Sequence, residues 1–224
     1  MNKTITSNDR GFTLIEMLVA LLLVTIVLTV VTGTSFSTRR NLDEALNDIE
    51  RGIRFSADEA ALRNAMIRIN FNLDEDPQKW SVEFGPDGNF VLPASKKTLV
   101  QSREEEDEEK SKKKALDKKF SSVKEFEDGQ KDIPPGVRII GIGTTLNQAM
   151  VLNGENALYI YPTGEKDSAI IVVATDDELA SITVSPFTID LKRKYYSIDL
   201  ESEGDITDKQ VEMAEEIYQE WLKE

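Results

Sequence analysis

The sequence predicts an α+β protein in which a long N-terminal helix, transmembrane over its first half, packs on an antiparallel β-sheet head. Three observations predict this class. An apolar run fills residues 12–36, a spacing of three to four residues between apolar positions continues to about residue 66, and apolar and polar residues alternate in short stretches from residue 67. One helix followed by many short strands is typical of α+β domains, whose sheet buries the apolar stripe of the helix.

The N-terminus combines a polar leader, residues 1–11, with the apolar run of residues 12–36. At about 1.5 Å per residue, a helix over this run is about 37 Å long and exceeds the roughly 30 Å hydrocarbon core of a bilayer. We therefore predict a transmembrane helix there. Glu16 is unusual, because a carboxylate inside such a span costs roughly 2.5–3.5 kcal/mol and ordinarily has a partner and a function.

Two other interpretations of the N-terminus are a cleaved secretory signal peptide and a plain single-pass anchor. The uninterrupted apolar stretch Met17–Val31 is at the upper limit for the apolar region of a signal peptide, and no clear Ala-x-Ala cleavage site follows it. A plain anchor explains the length of the run but not Glu16. Neither interpretation accounts for the junction between the leader and the run.

That junction, Arg10–Glu16, reads Arg-Gly-Phe-Thr-Leu-Ile-Glu and resembles the cleavage and methylation site of type IV pilins and type II secretion pseudopilins. The resemblance implies that a prepilin peptidase cuts between Gly11 and Phe12 and N-methylates Phe12, leaving the helix on the mature protein. It also implies a type IV pilin-like fold in a single-pass inner-membrane protein, with a cytoplasmic N-terminus and a periplasmic head. Orientation rests on this motif, because Arg39 and Arg40 beyond the run oppose the positive-inside rule.

Glu16 fits the resemblance physically. In a filament the apolar helices pack together away from water, where an unpaired charge is expensive. Glu16 of one subunit would neutralise the α-amino group of Phe12 in its neighbour, and that amine exists only after cleavage. Processing would therefore act as an assembly switch.

Residues 37–66 are predicted to continue the helix outside the membrane as an amphipathic segment. Leu42, Leu46, Ile49 and Ile53 form one apolar stripe, and no proline occurs before Pro77. A coiled coil is the alternative. Alanines late in the stripe favour packing against a sheet instead.

Residues 67–206 are predicted to form a β-rich head of about eight strands, interrupted by a charged insertion at about 101–132. In the insertion the acidic run Glu104–Glu109 precedes a set of lysines, which favours a solvated segment over a short exposed helix. The predicted strands are Ile67–Leu73, Trp80–Phe84, Phe90–Leu92, Val137–Ile142, Ala157–Tyr161, Ala169–Ala174, Ile182–Val184 and Phe187–Leu191.

Residues 207–224 are predicted to form a C-terminal amphipathic helix. Thr207 and Gln210 have the spacing of a capping box, and apolar residues from Val211 to Leu222 recur at helical intervals. The helix either packs on the sheet of its own head, which we favour, or binds a partner.

The order of parts resembles a subgroup, the minor pseudopilin H of type II secretion (general secretion pathway protein H). The resemblance rests on a helix ending at Arg63–Arg68, on Trp80-Ser81-Val82 and on the segment Tyr159–Gly164. It implies a minor subunit near the tip of a periplasmic pseudopilus. The implied partners are other pseudopilins, the prepilin peptidase, the inner-membrane assembly platform, and a secretin or secreted cargo. A minor pilin of a type IV pilus, acting in assembly priming or DNA uptake, is the alternative, and the lack of cysteine favours the pseudopilin.

Composition excludes most familiar enzyme chemistry. The 224 residues include no Cys and no His, which removes disulfides, thiolate zinc sites, cysteine nucleophiles and Ser-His-Asp catalysis. We expect no enzyme activity and no cofactor. A formal charge of −14 and a pI near 4.6 also argue against a general nucleic-acid binder, because such a chain repels the phosphate backbone.

Two short segments carry weaker signals. Asp199, Glu201 and Glu203 alternate before Gly204 like the first half of a calcium loop, but position 12 of that loop is Gln210 instead of a bidentate glutamate. We take the segment as an acidic turn, with Ca²⁺ as the alternative. The segment Lys192–Tyr196 mixes cations and aromatic rings, which suits single-stranded DNA, although a solvated strand end is the favoured interpretation.

Overall fold

The computed structural model describes residues 13–86, 92, 111–112, 114–124, 126, 129–145, 149–198 and 205–224, and the side chains of residues 28–37 lie outside that description. The chain divides into two units, Met1–Arg40 and Asn41–Glu224. We call the second unit the head.

Helix α1, Leu14–Arg63, begins in the first unit and ends in the head. It ends where Asn64 adopts a left-handed backbone conformation, with a φ of 49°. The Ala65 N–H donates to the Ala60 carbonyl at 3.2 Å across this turn. The helix therefore stops slightly before the predicted limit near residue 66, because the first strand, β1 (Ile67–Asn72), begins soon after this turn.

Two antiparallel sheets form the head. The first has the order β3-β2-β1-β6, and β4 also pairs with β2. The second has the order β5-β7-β8-β9. The strands of the first sheet are β1 Ile67–Asn72, β2 Lys79–Phe84, β3 Ser121–Ser122, β4 Lys131–Asp132 and β6 Glu155–Ile160; those of the second are β5 Arg138–Thr144, β7 Ala169–Ala174, β8 Glu178–Val184 and β9 Lys192–Ser197.

The main core lies between α1 and the inner faces of both sheets. Leu42, Leu46, Ile49 and Ile53 of α1 are at most 1% exposed and join one cluster with buried residues of both sheets. The predicted packing of this stripe on a sheet is confirmed, and the coiled-coil alternative is wrong for this part of the helix. Trp80 lies at the centre of the core, with its ring centroid 5.5 Å from that of Phe126.

Helix α2, Ile206–Trp221, covers the outer face of the second sheet. Its buried residues Ala214, Ile217 and Tyr218 join a second cluster with residues such as Val172 and Leu179. The predicted packing of this helix on its own head is confirmed.

The predicted cap of this helix is wrong. Asp205, not Thr207, is the N-cap, and its carboxylate accepts the Thr207 N–H at 2.9 Å. Gln210 is 2% exposed and bonds to residues outside the helix instead of reaching back to it. Its Nε2 donates to the Thr175 carbonyl at 2.8 Å and its Oε1 accepts from Arg138 at 2.9 Å.

The strand predicted at Phe187–Leu191 is wrong. These residues form a loop in which Phe187 and Ile189 are 81% and 79% exposed, and the last strand begins at Lys192. The predicted strand Phe90–Leu92 lies, apart from Leu92, outside the described residues.

The predicted solvated insertion is also wrong in its second half. Phe120, Val123 and Phe126 are at most 8% exposed, and Val123 and Phe126 belong to the main core. Lysines and acids surround these three apolar residues in sequence, so the local composition resembles that of a solvated segment although the residues are buried. The acidic run at 104–109 lies outside the described residues.

Candidate processing and assembly site

Of the three residues predicted for processing and assembly, the structure describes Glu16, which lies in the first turn of α1. Gly11 and Phe12, the predicted cleavage and methylation positions, lie outside the described residues. The structure therefore bears on the assembly part of the predicted site.

Thr13 fixes the start of the helix that carries Glu16. The Thr13 carbonyl accepts the N–H groups of Glu16 and Met17 at 3.0 and 3.2 Å. The Thr13 Oγ1 lies 3.3 Å from the same Glu16 N–H, which is the geometry of an N-cap. Glu16 is thus the third helical residue, where the positive end of the helix dipole favours a carboxylate.

Our sequence analysis did not identify Thr13. The signal was present, because Thr13 and Glu16 have the Ser/Thr-x-x-Glu spacing of a capping box directly before an apolar run. The same spacing at Thr207 and Gln210 is not a cap in the structure, because Asp205 caps the C-terminal helix.

The helix beyond Glu16 exposes an apolar surface on every side. All the large apolar side chains between Leu14 and Val27 are 48–84% exposed, and Glu16 is the only charged residue from 12 to 36. Monomeric soluble proteins rarely expose contiguous apolar patches of this kind. Burying apolar surface contributes about 25 cal/mol per Å², so this segment is stabilised by apolar surroundings such as lipid or other helices.

The hydroxyl group of Thr25 has the hydrogen-bond partner that a polar group needs in apolar surroundings. Its Oγ1 donates to the Leu21 carbonyl at 2.5 Å and lies 3.2 Å from the Leu22 carbonyl. A polar group bonded within its own helix can enter an apolar environment without losing a partner.

Within the part of the chain that the structure describes, we find no helix with both the length and the hydrophobicity needed for a membrane crossing. The transmembrane segment at 12–36 stays a prediction.

Arg68 lies at the centre of a largely buried ionic cluster in the head. It is 4% exposed, and its guanidinium donates to Glu83 at 2.5 Å and to Asp117 at 2.6 Å. The ring of Phe120 lies 4.1 Å below the guanidinium. Burial lowers the pKa of Arg68, but the bonds to the two carboxylates outweigh it and hold the pKa above its ordinary value. The cluster fastens the segment around Asp117 to the β1–β2 hairpin.

The calcium alternative gains no support from the described residues. Asp199, Glu201 and Glu203 lie outside them, and the described part of the chain contains no group of three or more side chains suited to a metal. The twelfth position of the proposed loop, Gln210, already uses its amide oxygen to accept from Arg138.

The segment Lys192–Tyr196 uses its polar groups inside the head. Arg193 donates to Glu50 at 2.7 Å and to Asn47 at 2.8 Å, and the Tyr195 hydroxyl donates to Asp43 at 3.0 Å. Lys194 pairs with Glu224 at 2.6 Å. These contacts connect strand β9 to both helices of the head. They favour a structural role for these side chains over the binding of DNA.

Comparison with known proteins identifies the N-terminal signal. A family model described as the prokaryotic N-terminal methylation motif matches residues 6–32, which include Gly11, Phe12 and Glu16. No curated protein and no solved structure matches the chain significantly. The chain therefore carries the N-terminal signal of a type IV pilin-like prepilin peptidase substrate, and the helix that follows packs in the head on antiparallel sheets.

Proposed function

We propose that the protein is a minor pseudopilin of a type II secretion system, a structural subunit and not an enzyme. The observation that carries the proposal is the methylation motif at residues 6–32, followed by an exposed apolar helix with one acid in its first turn. The subunit would assemble at or near the tip of a periplasmic pseudopilus that drives export across the outer membrane.

Processing comes first in this function. A prepilin peptidase cleaves between Gly11 and Phe12 and methylates the new amine, while the apolar helix stays on the mature chain. The leader contains Lys3, Asp9 and Arg10, and these charges oppose its entry into a packed bundle of apolar helices. Removal of the leader is therefore required before the helix can join a filament.

Assembly then pairs two charges, each of which would destabilise the filament if it were buried without the other. Glu16 is held at the third helical position by Thr13, and it would accept hydrogen bonds from the methylated amine of Phe12 in a neighbouring subunit. Removing one partner of a buried ion pair typically costs 3–5 kcal/mol, because the other charge stays buried. Pairing of this strength would admit cleaved subunits and exclude uncleaved ones.

The secretion role is favoured over a pilus role by composition. The chain has no Cys, and the resemblance implies that many pilus subunits close a C-terminal loop with a disulfide. In this chain the C-terminal segment is held by the packing of α2 on the second sheet. The implied partners are other pseudopilins, the inner-membrane assembly platform, and the secretin or secreted cargo.

The first test is the N-terminus of the native protein. Mass spectrometry should find a mature chain that begins with N-methylated Phe12. The substitution Gly11→Leu should block cleavage and leave the leader in place, whereas Asn2→Ala in the same leader should be processed normally. A native chain that begins elsewhere, or an unmethylated Phe12, would contradict the proposal.

The second test separates assembly from processing. Glu16→Gln should be cleaved and inserted into the membrane normally, and its incorporation into filaments should fall at least about tenfold, given the cost of an unpaired buried amine. Thr25→Val is the matched control, because it removes another polar group of the same helix, a hydroxyl that donates to the Leu21 carbonyl of its own turn. Incorporation of Glu16→Gln at the wild-type level would refute the pairing role.

A third experiment distinguishes secretion from piliation. Deletion of the gene should abolish the release of folded enzymes into the medium and leave surface pili intact. Loss of pili or of DNA uptake with normal secretion would identify the protein as a minor pilin instead.

A further inference from the structure

Asn153 and Gly154 form the only Asn-Gly pair among the 224 residues of the chain. They lie in the connection between Val151 and strand β6, and Asn153 is exposed to solvent. An asparagine before glycine is prone to lose its side-chain nitrogen as ammonia, because glycine has no side chain to hinder attack by its own backbone nitrogen. The pair is therefore a candidate for covalent modification.

The fold requires glycine at position 154 and binds both of its backbone polar groups. Gly154 has a φ of 79°, in the left-handed region that residues with a side chain rarely adopt. Its N–H donates to the Asp74 Oδ1 at 2.7 Å, and its carbonyl accepts the Leu73 N–H at 2.9 Å. The nitrogen that would attack Asn153 is therefore restrained by the segment that follows β1.

The connection that contains Asn153 joins the two sheets of the head. Val151 exchanges two backbone hydrogen bonds with Ile142 of β5, at 3.0 and 2.9 Å, and β5 belongs to the second sheet. Strand β6 of the first sheet begins at Glu155, only four residues after Val151. The connection is therefore short and is attached to a different sheet at each end.

We propose that Asn153 is a site of spontaneous deamidation and that Asp74 controls the rate of this reaction. The Gly154 nitrogen loses its proton to hydroxide and forms a bond to the Cγ of Asn153. The bond from Cγ to the side-chain nitrogen breaks, and this nitrogen takes a proton from water and leaves as ammonia. Water then opens the resulting succinimide ring at either of its two carbonyls. The product at position 153 is aspartate or isoaspartate, in which the main chain continues through the side-chain carbonyl.

Asp74 opposes the first step of this reaction. Its carboxylate accepts the N–H whose proton must leave, and a negative charge 2.7 Å from the nitrogen disfavours the anion that forms there. The same hydrogen bond must break before the nitrogen turns towards the side chain of Asn153. Hydrogen bonds to charged groups are stronger than neutral ones, so the loss of this bond should speed deamidation at least about threefold.

The isoaspartate product would change the connection between the two sheets. It adds one backbone atom between positions 153 and 154, within a connection that is attached at Val151 and at Gly154. One of these attachments must shift to accommodate the extra atom, and its hydrogen bonds are then weakened or lost. We therefore expect the isoaspartate form to unfold at a lower temperature than the unmodified protein.

The test follows deamidation of the full-length processed protein in detergent, over days in a mildly alkaline buffer. Peptide mass spectrometry locates the replacement of a side-chain amide by a carboxyl group, and a protein isoaspartate methyltransferase labels isoaspartate. We expect Asn153 of wild type to react more slowly in the folded protein than in urea. Folded Asp74→Ala should react at least about threefold faster than folded wild type, and Asp74→Asn, which keeps an oxygen acceptor without the charge, should fall between them.

Controls separate the hydrogen bond from net charge and from unfolding. Asp176→Ala removes an exposed carboxylate from the turn between β7 and β8, and it should react at the wild-type rate. In urea, Asp74→Ala and wild type should react at equal rates, because the bond between Asp74 and Gly154 exists only in the folded protein. The modified and unmodified forms differ in charge, so ion exchange separates them for measurement of their thermal unfolding midpoints.

Three outcomes would overturn the proposal. They are an unmodified Asn153 after incubation in urea, a rate in folded Asp74→Ala equal to or below that of wild type, and an equal acceleration in Asp176→Ala. An isoaspartate form with the wild-type unfolding midpoint would overturn the proposed effect on the connection. None of these results bears on the processing of the N-terminus, so the proposed function is tested separately.

Discussion

Thr13 and Glu16 show how one residue positions another at the start of the apolar helix. Thr13 accepts the Glu16 N–H with its carbonyl and, more weakly, with its side chain, so that the helix begins directly after it. Glu16 then lies beside the N–H groups of the first turn, at the positive end of the helix dipole. The cap therefore fixes the position of this carboxylate at the start of the helix, where the pairing that we propose takes place.

Gly52 is another residue whose role depends on a close neighbour. A Cβ atom at this position would lie 2.6 Å from two ring atoms of Trp80, much closer than van der Waals contact. Trp80 is 1% exposed and packs against the rings of Phe71 and Phe126, so it has little space to shift. Gly52 allows the helix to approach the sheet at this point.

Gly52→Ala should accordingly destabilise the protein. Alanine favours a helix by about 1 kcal/mol over glycine, but overpacking a rigid core typically costs 1–3 kcal/mol. Thermal or denaturant unfolding of the detergent-solubilised protein would measure the net loss. Asp58→Ala, at an exposed position of the same helix, is the control and should change the free energy of unfolding by less than about 0.5 kcal/mol. Equal stability of Gly52→Ala and wild type would show that Trp80 can move.

At the scale of the elements, strand β6 is an edge strand that Asp167 covers. Asp167 donates its own N–H to the Tyr159 carbonyl at 2.9 Å and accepts the Tyr159 N–H with its carboxylate at 3.0 Å. Both backbone groups of Tyr159 on the open edge are thus occupied. An occupied edge resists unwanted pairing with another strand.

The pKa of Asp167 makes this edge sensitive to pH. Burial raises the pKa, and the bonds from Tyr159 and Tyr161 offset the effect only in part. Because the folded state holds this proton more tightly than the unfolded state, the group contributes stability below the ordinary aspartate pKa and loses that contribution as pH rises through the raised value. Near pH 7 the protein therefore carries the cost of a half-buried charge.

Asp167→Asn tests this dependence. The free energy of unfolding of the variant minus that of wild type should increase as the pH rises from about 3.5 to 7, so the variant becomes the more stable of the two relative to low pH. Urea unfolding at several pH values would measure it. Asp132→Asn, at an exposed position, should follow the wild-type curve. A difference between Asp167→Asn and wild type that falls with pH would contradict the argument.

Strand β9 lies later in the sequence than the strand that was predicted at Phe187–Leu191, and its composition explains the difference. Its residues Lys192–Ser197 are mostly polar, whereas the preceding segment Phe187–Leu191 contains the apolar alternation expected of a strand. The polar strand is favoured because α1 supplies partners for it, with Glu50 and Asn47 binding Arg193. Those partners are more than a hundred residues away, and a local pattern does not reveal them.

At the scale of the whole molecule, α2 completes the head by covering the second sheet. Strand β7 is buried over all six residues, because α1 lies over one face and α2 over the other. Tyr218 is 1% exposed, donates its hydroxyl to the Thr144 carbonyl at 3.0 Å, and occupies space that any Cβ at Gly143 would need. The C-terminal helix is therefore an integral part of the core.

A truncation after Gly204 should expose that face and lower stability strongly. Re-exposing a buried Ile, Leu or Tyr costs roughly 1.5–3 kcal/mol each, and several such residues represent a large share of a typical 5–15 kcal/mol stability. We expect the thermal midpoint to fall by about 10 °C or more, with aggregation seen by light scattering. Truncation after Trp221 removes exposed residues and the solvent-exposed ion pair between Glu224 and Lys194, which contributes little to stability, and should therefore behave nearly as wild type. Unchanged stability after the longer truncation would mean that α2 is peripheral.

The amino-acid sequence alone predicts the processing signal, the apolar helix, the α+β class and six of the observed strands, namely β1, β2, β5, β6, β7 and β8. These properties are local, since a peptidase recognises contiguous residues and the period of apolar positions reflects the geometry of one helix or strand. Long-range packing, and not the local pattern, buries Phe120, brings Val123 and Phe126 into the main core, makes Asp205 the cap of α2 and makes the polar segment Lys192–Ser197 a strand. Each of these depends on groups far apart in the chain, whose contact energies act only after the chain has folded.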